Sequence, residues 1–243
     1  MAYIGRTPTG SILTGADIAD GSISTAKIAD TAVSTAKIAD DAVGNTKLNL
    51  ADNYAFTGTV TGAQGDFEKI ITTNQSSAVS TIEYTNSIIS TTYKTFKIVV
   101  SNGRLTDDNS NFGVRVSTTN GSSFINNSSY ARNIWCTSDD SGNDSFTGRA
   151  SSTTSMGLGH AVSGGNASGE SQNAELTLLN PHSTSNNKFV TIVGAQLDSN
   201  GNGRSTIGHF RISTTSAISG IQLFNESGST IASVDITIYG LRA

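Results

Sequence analysis

The segment 198–203 has the composition of a metal-binding loop. Its sequence, DSNGNG, matches the opening of a calcium loop, because oxygen-bearing side chains occupy the first, third and fifth positions and glycine the sixth. The twelfth position of such a loop needs a bidentate glutamate, but here it is His209. The segment also lies between two predicted strands, where a hairpin turn accounts for the same residues. We therefore predict a turn here.

The other residues that commonly bind metals show no ligand spacing. The three histidines, His160, His182 and His209, form neither an HxH nor an HExxH pattern. The single cysteine, Cys136, is followed by acidic rather than basic residues, so we expect a small packed side chain rather than a reactive thiol. The sequence predicts no metal and no other cofactor.

No set of residues for catalysis stands out in the sequence. The GxSxG nucleophile motif is absent. Glycan hydrolysis requires two carboxylates about 5–10 Å apart, and Asp139, Asp140 and Asp144 do cluster. They lie in a Ser/Gly-rich stretch, however, where solvated acids or a turn account for them better. We predict that the protein is not an enzyme, and a glycan-cleaving spike stays only as a further alternative.

Binding is the chemistry that the sequence favours. The long polar segment 117–173 exceeds ordinary loop lengths, and such loops are typically functional or disordered. It holds aromatic residues among Asn, Ser and Asp, a mixture that binds sugars because rings cover C–H groups while amides and carboxylates bond hydroxyls. The alternative is that 130–136 is a plain strand with Trp135 in the core. We favour that alternative for Trp135 and leave Tyr130 open. The predicted receptor-binding residues are Tyr130, Trp135, Asp139 and Asp140.

The elements that must position these residues are β-strands. From Phe67 onward, apolar and polar residues alternate in short runs between turn clusters, and no helical periodicity of comparable strength occurs. In the last run Val234, Ile236 and Ile238 are expected to face the core. The sequence predicts a mainly β fold, an antiparallel jelly-roll-like β-sandwich at 67–243. The predicted strands are 67–71, 80–84, 94–101, 112–118, 174–179, 188–197, 206–213, 220–224 and 233–240.

A different pattern occupies 13–50, where a large aliphatic residue recurs at every fifth position. On an α-helix, aliphatic residues five positions apart do not form one apolar stripe. On a straight strand they fall alternately on opposite faces. Either the chain bends once per pentad, through turns or short helical segments, or it stays extended and buries both faces. The ladder consists of Leu13, Ile18, Ile23, Ile28, Val33, Ile38, Val43 and Leu48.

One chain has too little apolar surface to bury this ladder by itself. We therefore expect it to wrap with identical copies as an intertwined homotrimeric shaft. The alternative is a disordered linker, but such linkers have no reason to keep aliphatic residues in register. A Gly/Thr-rich segment at 56–65 breaks the register, and 51–66 is predicted to be a neck.

Composition excludes several classes of partner. The 243-residue chain has a net charge of -4 and no basic cluster, which argues against nucleic-acid binding. We expect no secretory signal and no membrane insertion, because the N-terminal residues lack a charged region followed by an apolar run and no run approaches 18 apolar residues.

Three stretches carry a resemblance to a known family. They are the opening MAYIGRTPTG, the repeats ADGSISTAKIAD and TAVSTAKIADDAV, and the closing IASVDITIYGLRA. The segment 94–124 adds to it. Together they resemble small bacteriophage virion fibres, particularly those of phages that infect aquatic bacteria. The resemblance implies a trimer that is attached to the virion by its N-terminus and carries a distal C-terminal head.

On this basis we expect a bacteriophage tail fibre, made in the host cytoplasm and exposed on the particle. Residues 1–12 are the expected leader, which attaches the trimer to tail or capsid proteins through Tyr3, Ile4, Arg6 and Pro8. The head is expected to recognise a host cell-surface glycan or protein. A capsid-attached head fibre or decoration protein is the alternative, and the sequence does not discriminate between the two.

Overall fold

The computed structural model describes residues 67–139, 145–159 and 164–242, together with residues 19, 21–24 and 28. The chain divides into two units, Met1–Ala63 and Gln64–Ala243. Each unit is considered by itself below.

The second unit is built from strands. None of its described residues is helical, and no helix long and apolar enough to cross a membrane occurs in the part of the chain that the structure describes. The strands are β1 (Glu68–Gln75), β2 (Thr81–Tyr84), β3 (Tyr93–Leu105), β4 (Phe112–Ser117), β5 (Tyr130–Ser138), β6 (Ser145–Thr153), β7 (Met156–Gly157), β8 (Gln172–Leu179), β9 (Lys188–Leu197), β10 (Gly203–Ile212), β11 (Gly220–Asn225) and β12 (Ile231–Arg242).

These strands form two antiparallel sheets. The eight-stranded large sheet has the order β1-β12-β3-β8-β9-β10-β5-β6, and the four-stranded small sheet has the order β2-β11-β4-β7. Every pairing between neighbouring strands is antiparallel. The first strand, β1, therefore pairs with the last, β12, at one edge of the large sheet.

The two sheets share one hydrophobic core. Inward side chains of β3 from the large sheet, such as Phe96 and Ile98, belong to the same buried cluster as Val114 and Leu223 from the small sheet. Burying each such side chain contributes about 1.5–3 kcal/mol. The fold is thus mainly β with antiparallel sheets, as predicted, and the shared core is the arrangement expected of a β-sandwich.

Each predicted strand outside 117–173 overlaps a strand of the structure. The prediction of which β12 residues face the core is also confirmed, since Val234, Ile236 and Ile238 are all buried. Alternation specifies the inward face well in β12 because the intervening outward residues include Asp235 and Thr237, which are polar.

The prediction for 117–173 as a long loop is wrong. This segment contains β5, β6 and β7 as well as the start of β8. The strand alternative for 130–136 is confirmed, but its placement of Trp135 in the core is not, because the side chain is 55% exposed. The physical reason is that β5 carries large apolar residues on both faces, so the inward face cannot be read from the pattern.

In the first unit the structure describes one turn of the ladder region. The Ser22 N–H donates a hydrogen bond to the Ala19 carbonyl at 3.0 Å, and Gly21 has a φ of 75°. This is the conformation that position three of a type II turn requires, and glycine adopts it without strain. At this pentad the chain bends, which is one of the two alternatives that the spacing left open.

Two ladder residues are described, and both are exposed in the single chain. Ile23 is 56% and Ile28 44% exposed. The rest of the ladder and the leader lie outside the described residues: Tyr3, Ile4, Arg6, Pro8, Leu13, Ile18, Val33, Ile38, Val43 and Leu48.

Candidate functional site

A groove of about 540 Å³ lies where the ends of β5, β10, β9 and β8 meet the loop before β8. Four of its lining residues come from neighbouring strands in register. Ser205 lies opposite Thr137 on one side and Ala195 on the other, and Ala195 lies opposite Asn173. These residues alternate with buried ones along their strands, so they form a row on the outer face of the large sheet. We call its three polar members, Thr137, Ser205 and Asn173, the polar row.

The hydroxyls of the polar row are already close together. Thr137 Oγ1 and Ser205 Oγ form a hydrogen bond across the strands. Each hydroxyl can donate one hydrogen bond and accept two, so this pair keeps acceptor capacity toward the groove.

The amide of Asn173 is fixed at the other end of the row. Its Oδ1 accepts a hydrogen bond from the Asn102 N–H at 2.9 Å, and its Nδ2 donates to Ser171 Oγ at 3.0 Å. One amide proton and one oxygen lone pair are left for a ligand. The side chain is therefore oriented before any ligand arrives.

Asp139 places a carboxylate beside the polar row. The Gly203 N–H donates to Asp139 Oδ1 at 2.7 Å, and the Asp139 N–H donates to the Gly203 carbonyl at 3.1 Å. A Cβ on residue 203 would lie 2.8 Å from Asp139 Oδ2, so only glycine allows this approach without a shift of the carboxylate. Among the described lining residues, Asp139 is the only acid.

The turn between β9 and β10 supports the groove from below. Asp198 Oδ1 accepts hydrogen bonds from the backbone N–H groups of Asn200 at 2.8 Å and Asn202 at 2.9 Å. Its Oδ2 lies 2.6 Å from Arg204 Nη2 in a buried ion pair. The predicted hairpin turn at 198–203 is thus confirmed, and its first carboxylate serves to close the turn.

The electrostatics of this pair follow from its contacts. Burial acts to raise the pKa of Asp198, but the hydrogen bonds from Arg204, Asn202 and Asn200 outweigh burial and lower the pKa below its usual value. Asp198 is therefore ionised at neutral pH and neutralises Arg204, the one cation among the described lining residues.

A second row runs parallel to the polar row, one outward position along each strand. Ile207 lies opposite Trp135 and Val193. Trp135 is 55%, Ile207 59% and Val193 58% exposed. We call these three residues the apolar row. Successive outward positions on one strand are about 6.5–7 Å apart, so one ligand can contact both rows.

The predicted receptor-binding residues have different locations. Trp135 is in the apolar row and Asp139 lines the groove, whereas Asp140 lies outside the described residues. Tyr130 is fully buried, and its hydroxyl accepts from the Val116 N–H at 3.0 Å and donates to the Ile125 carbonyl at 3.0 Å. Burial raises its pKa to about 12. Tyr130 is a core residue and cannot contact a ligand at the surface, which corrects that part of the prediction.

The sequence did not reveal Thr137, Ser205 or Asn173. Such side chains are common throughout the chain, and no local pattern distinguishes these three. Thr137 and Ser205 are 68 positions apart and meet only through the pairing of β5 with β10. The only sequence signal was the nearby Trp135 and Asp139.

The histidines do not converge on one site. His182 Nε2 lies 2.8 Å from the Ser90 carbonyl, and the His209 ring contacts the Phe189 ring; His160 lies outside the described residues. The part of the chain that the structure describes holds no group of three or more His, Cys, Asp or Glu side chains placed to bind a metal ion.

Comparison with known proteins gives no relative, since no family model, no curated protein and no solved structure matches this chain. The geometry must therefore carry the functional argument. A groove with fixed amide and hydroxyl groups, one carboxylate and an adjacent tryptophan is equipped to bind a polar ligand. Hydrolysis of a glycan would need a second carboxylate, which the described lining residues do not supply.

Proposed function

We propose that this protein is a bacteriophage tail fibre whose C-terminal head recognises the surface of the host cell. In this proposal residues 1–12 attach the fibre to the virion, 13–50 form an intertwined homotrimeric shaft, 51–66 are a neck, and 67–243 are a jelly-roll-like head. The observation that carries the proposal is the aliphatic ladder, because it requires partners that a single chain cannot provide.

The exposure of the ladder supports this requirement. Ile23 and Ile28 are both exposed in the single chain. Large aliphatic side chains repeated over a narrow segment expose a continuous apolar surface, which in a water-soluble assembly must be covered. Identical copies are the simplest cover, because each one carries the same register.

The groove supports the role of the head. Its polar groups are held by the contacts described above, so little side-chain entropy is lost when a ligand binds. Three heads on one shaft would present three copies of the groove. Linked weak sites of this kind can exceed the affinity of one site by about 10²–10⁴.

The first test measures assembly. We expect the full-length protein to sediment as a trimer at micromolar concentration. The double substitution Ile28→Asp and Ile38→Asp should abolish the trimer, because it places charges on the shaft axis. Thr35→Asp, which is outside the ladder register, is the matched control and should leave the trimer intact. A wild-type monomer, or a trimer that survives the double substitution, would contradict the shaft.

The second test measures attachment. A phage whose fibre lacks residues 1–12 should make a folded head that does not enter particles. Separated tails and empty capsids then identify the partner, because a tail fibre stays with the tails. Retention on capsids would replace the tail fibre with the capsid-attached head fibre or decoration protein.

A further inference from the structure

We infer that the groove takes an uncharged, hydroxyl-rich glycan, with one sugar ring packed on Trp135 and its hydroxyls bonded by the polar row and Asp139. This inference rests on the proposed recognition of the host surface and adds the chemical class of the receptor. Three features of the groove lead to it: its charge, its hydrogen-bonding groups and its apolar border.

The charges of the groove select against acidic sugars. The described lining residues include one exposed carboxylate, Asp139, and one cation, Arg204. Arg204 is buried and already paired with Asp198 at 2.6 Å. A uronate or phosphate group in the groove would therefore meet a like charge without an exposed cation to offset it, and like charges disfavour binding.

The hydrogen-bonding groups match sugar hydroxyls. A hydroxyl both donates and accepts, so it pairs best with a surface that offers both functions. Asp139 supplies an acceptor, Asn173 supplies a donor and an acceptor, and the bonded hydroxyls of Thr137 and Ser205 supply further acceptors. A purely cationic or purely apolar ligand would leave part of this set unpaired, and an unpaired polar group at an interface weakens binding.

The apolar row matches the other side of a sugar ring. Pyranose rings have C–H groups on one face, and an exposed aromatic ring can cover them. Trp135 lies on the same face of β5 as Thr137, two residues away, so the stacking surface and the first hydroxyl partner are adjacent. Ile207 and Val193 continue the apolar border across the next two strands, alongside Ser205 and Ala195.

A second copy of the head is the competing occupant of the apolar row. Both occupants require exposed side chains here, but only a glycan also uses the polar row and Asp139. The two alternatives differ in what the loss of Trp135 does. Loss of a stacking residue weakens sugar binding and leaves the assembly unchanged, whereas loss of a subunit contact changes the assembly.

The experiment uses the full-length protein and matched pairs of sugars. The probes are immobilised galacto-oligosaccharides, gluco-oligosaccharides and manno-oligosaccharides, each with its uronate counterpart, and binding is measured by surface plasmon resonance. We expect at least one uncharged member to bind, and its uronate counterpart to bind at least about tenfold more weakly, which corresponds to 1.4 kcal/mol.

Two substitutions assign the binding to this groove. Trp135→Ala should weaken binding of the uncharged sugar about tenfold without changing the sedimentation coefficient or the melting temperature. Asp139→Asn should reduce the discrimination against the uronate, because it removes the like charge. Glu68→Gln, on the edge strand β1 of the same sheet and far from the groove, is the matched control and should change neither quantity.

The outcomes separate this inference from the proposed function. Preference for the uronates, failure to bind any uncharged probe, or dissociation of the trimer by Trp135→Ala would each overturn the inference. The fibre proposal fails separately, through the sedimentation and particle-fraction experiments, and neither of those depends on the probes.

Discussion

The outer face of the large sheet has two halves of different chemistry. On β1, β12, β3 and β8, outward side chains pair with one another. Arg242 contacts Glu68 at 2.7 Å, Lys97 contacts Glu175 at 2.9 Å, and Asn102 Nδ2 donates to Asp235 at 2.9 Å. On β9, β10 and β5, by contrast, the apolar row is exposed and borders the groove. We call these regions the paired half and the open half.

The difference between the two halves indicates where a bound ligand would gain the most binding free energy. In the paired half, polar groups satisfy each other, and a ligand would have to replace contacts that already exist. In the open half, exposed apolar surface and fixed polar groups lie side by side, and covering them releases water without breaking a pair. The same face of the sheet thus carries a self-satisfied surface and the surface on which we propose that a ligand binds.

Among the substitutions that compare the two halves, Asp198→Asn should cause the largest loss of unfolding free energy. Asp198→Asn removes the carboxylate charge that lies 2.6 Å from the buried Arg204 guanidinium. Breaking a buried pair from one side costs about 3–5 kcal/mol. Urea unfolding monitored by tryptophan fluorescence should show this loss of unfolding free energy.

Acid should act in the same direction as this substitution. Because the folded pKa of Asp198 is lowered, its stabilising contribution is complete above the ordinary value of 3.8 and is lost as pH falls through the folded pKa. The control is Asp235→Asn in the paired half, where we expect a loss of about 1 kcal/mol or less. If Asp198→Asn and Asp235→Asn lose equal amounts of unfolding free energy, the open half and the paired half do not differ in this respect.

An intermediate loss of unfolding free energy should come from Tyr130→Phe. Tyr130 lies on β5, on the buried face of the open half. Tyr130→Phe leaves the buried Val116 N–H without its partner, at a cost of about 1–3 kcal/mol. The matched control, Tyr239→Phe on the outer face of β12, should change the unfolding free energy by less than about 0.5 kcal/mol. Chemical denaturation of both variants at neutral pH makes the comparison.

Alkali provides an independent check on Tyr130. Its pKa is raised from 10.0 to about 12 in the folded protein, so the unfolded chain loses this proton first as pH rises. Stability should therefore fall between pH 10 and about 12, and part of that slope should disappear in Tyr130→Phe. An unchanged slope would mean that Tyr130 is not buried as described.

The smallest change in unfolding free energy should come from a substitution in the apolar row itself. Ile207→Thr changes an exposed side chain, so the unfolding free energy should change by less than about 0.5 kcal/mol. Ile192→Thr on the buried face of the neighbouring strand is the control, and burying its hydroxyl should cost about 1–3 kcal/mol. If Ile207→Thr costs as much as the control, the row is covered in the assembled protein and the open half is not open.

The paired half is also the half that the sequence predicts better. Strands β8 and β12 alternate between apolar and polar residues over 174–178 and 234–238, so the sequence predicts both strands and the inward face of β12. Strand β5 places Tyr130 and Ile134 inward but Trp135 outward. When a strand has large apolar residues on both faces, its sequence does not show which face is buried. For this reason the sequence leaves the burial of Tyr130 open and places Trp135 in the core.

The groove could be predicted only in part for a related reason. Trp135 and Asp139 stand out by residue type, but the polar row exists only through pairing between strands that are distant in sequence. Side-chain register between β5, β10, β9 and β8 is a tertiary property, set by which strands become neighbours. Composition leads to the prediction of sugar binding, which stays a prediction, and it does not show which hydroxyls come together in the groove.

The pairing of β1 with β12 has a mechanical consequence. Tension that enters the head through the residues before Glu68 acts along β1, an edge strand whose one neighbour is β12. Ladder hydrogen bonds lie perpendicular to the strands, so a pull along β1 shears many of them at once instead of opening them in sequence. If the proposed fibre holds a particle to a cell, the load would therefore fall on a strand whose hydrogen bonds resist it together. The contact between Arg242 and Glu68 lies at the end of β1 where that force would enter.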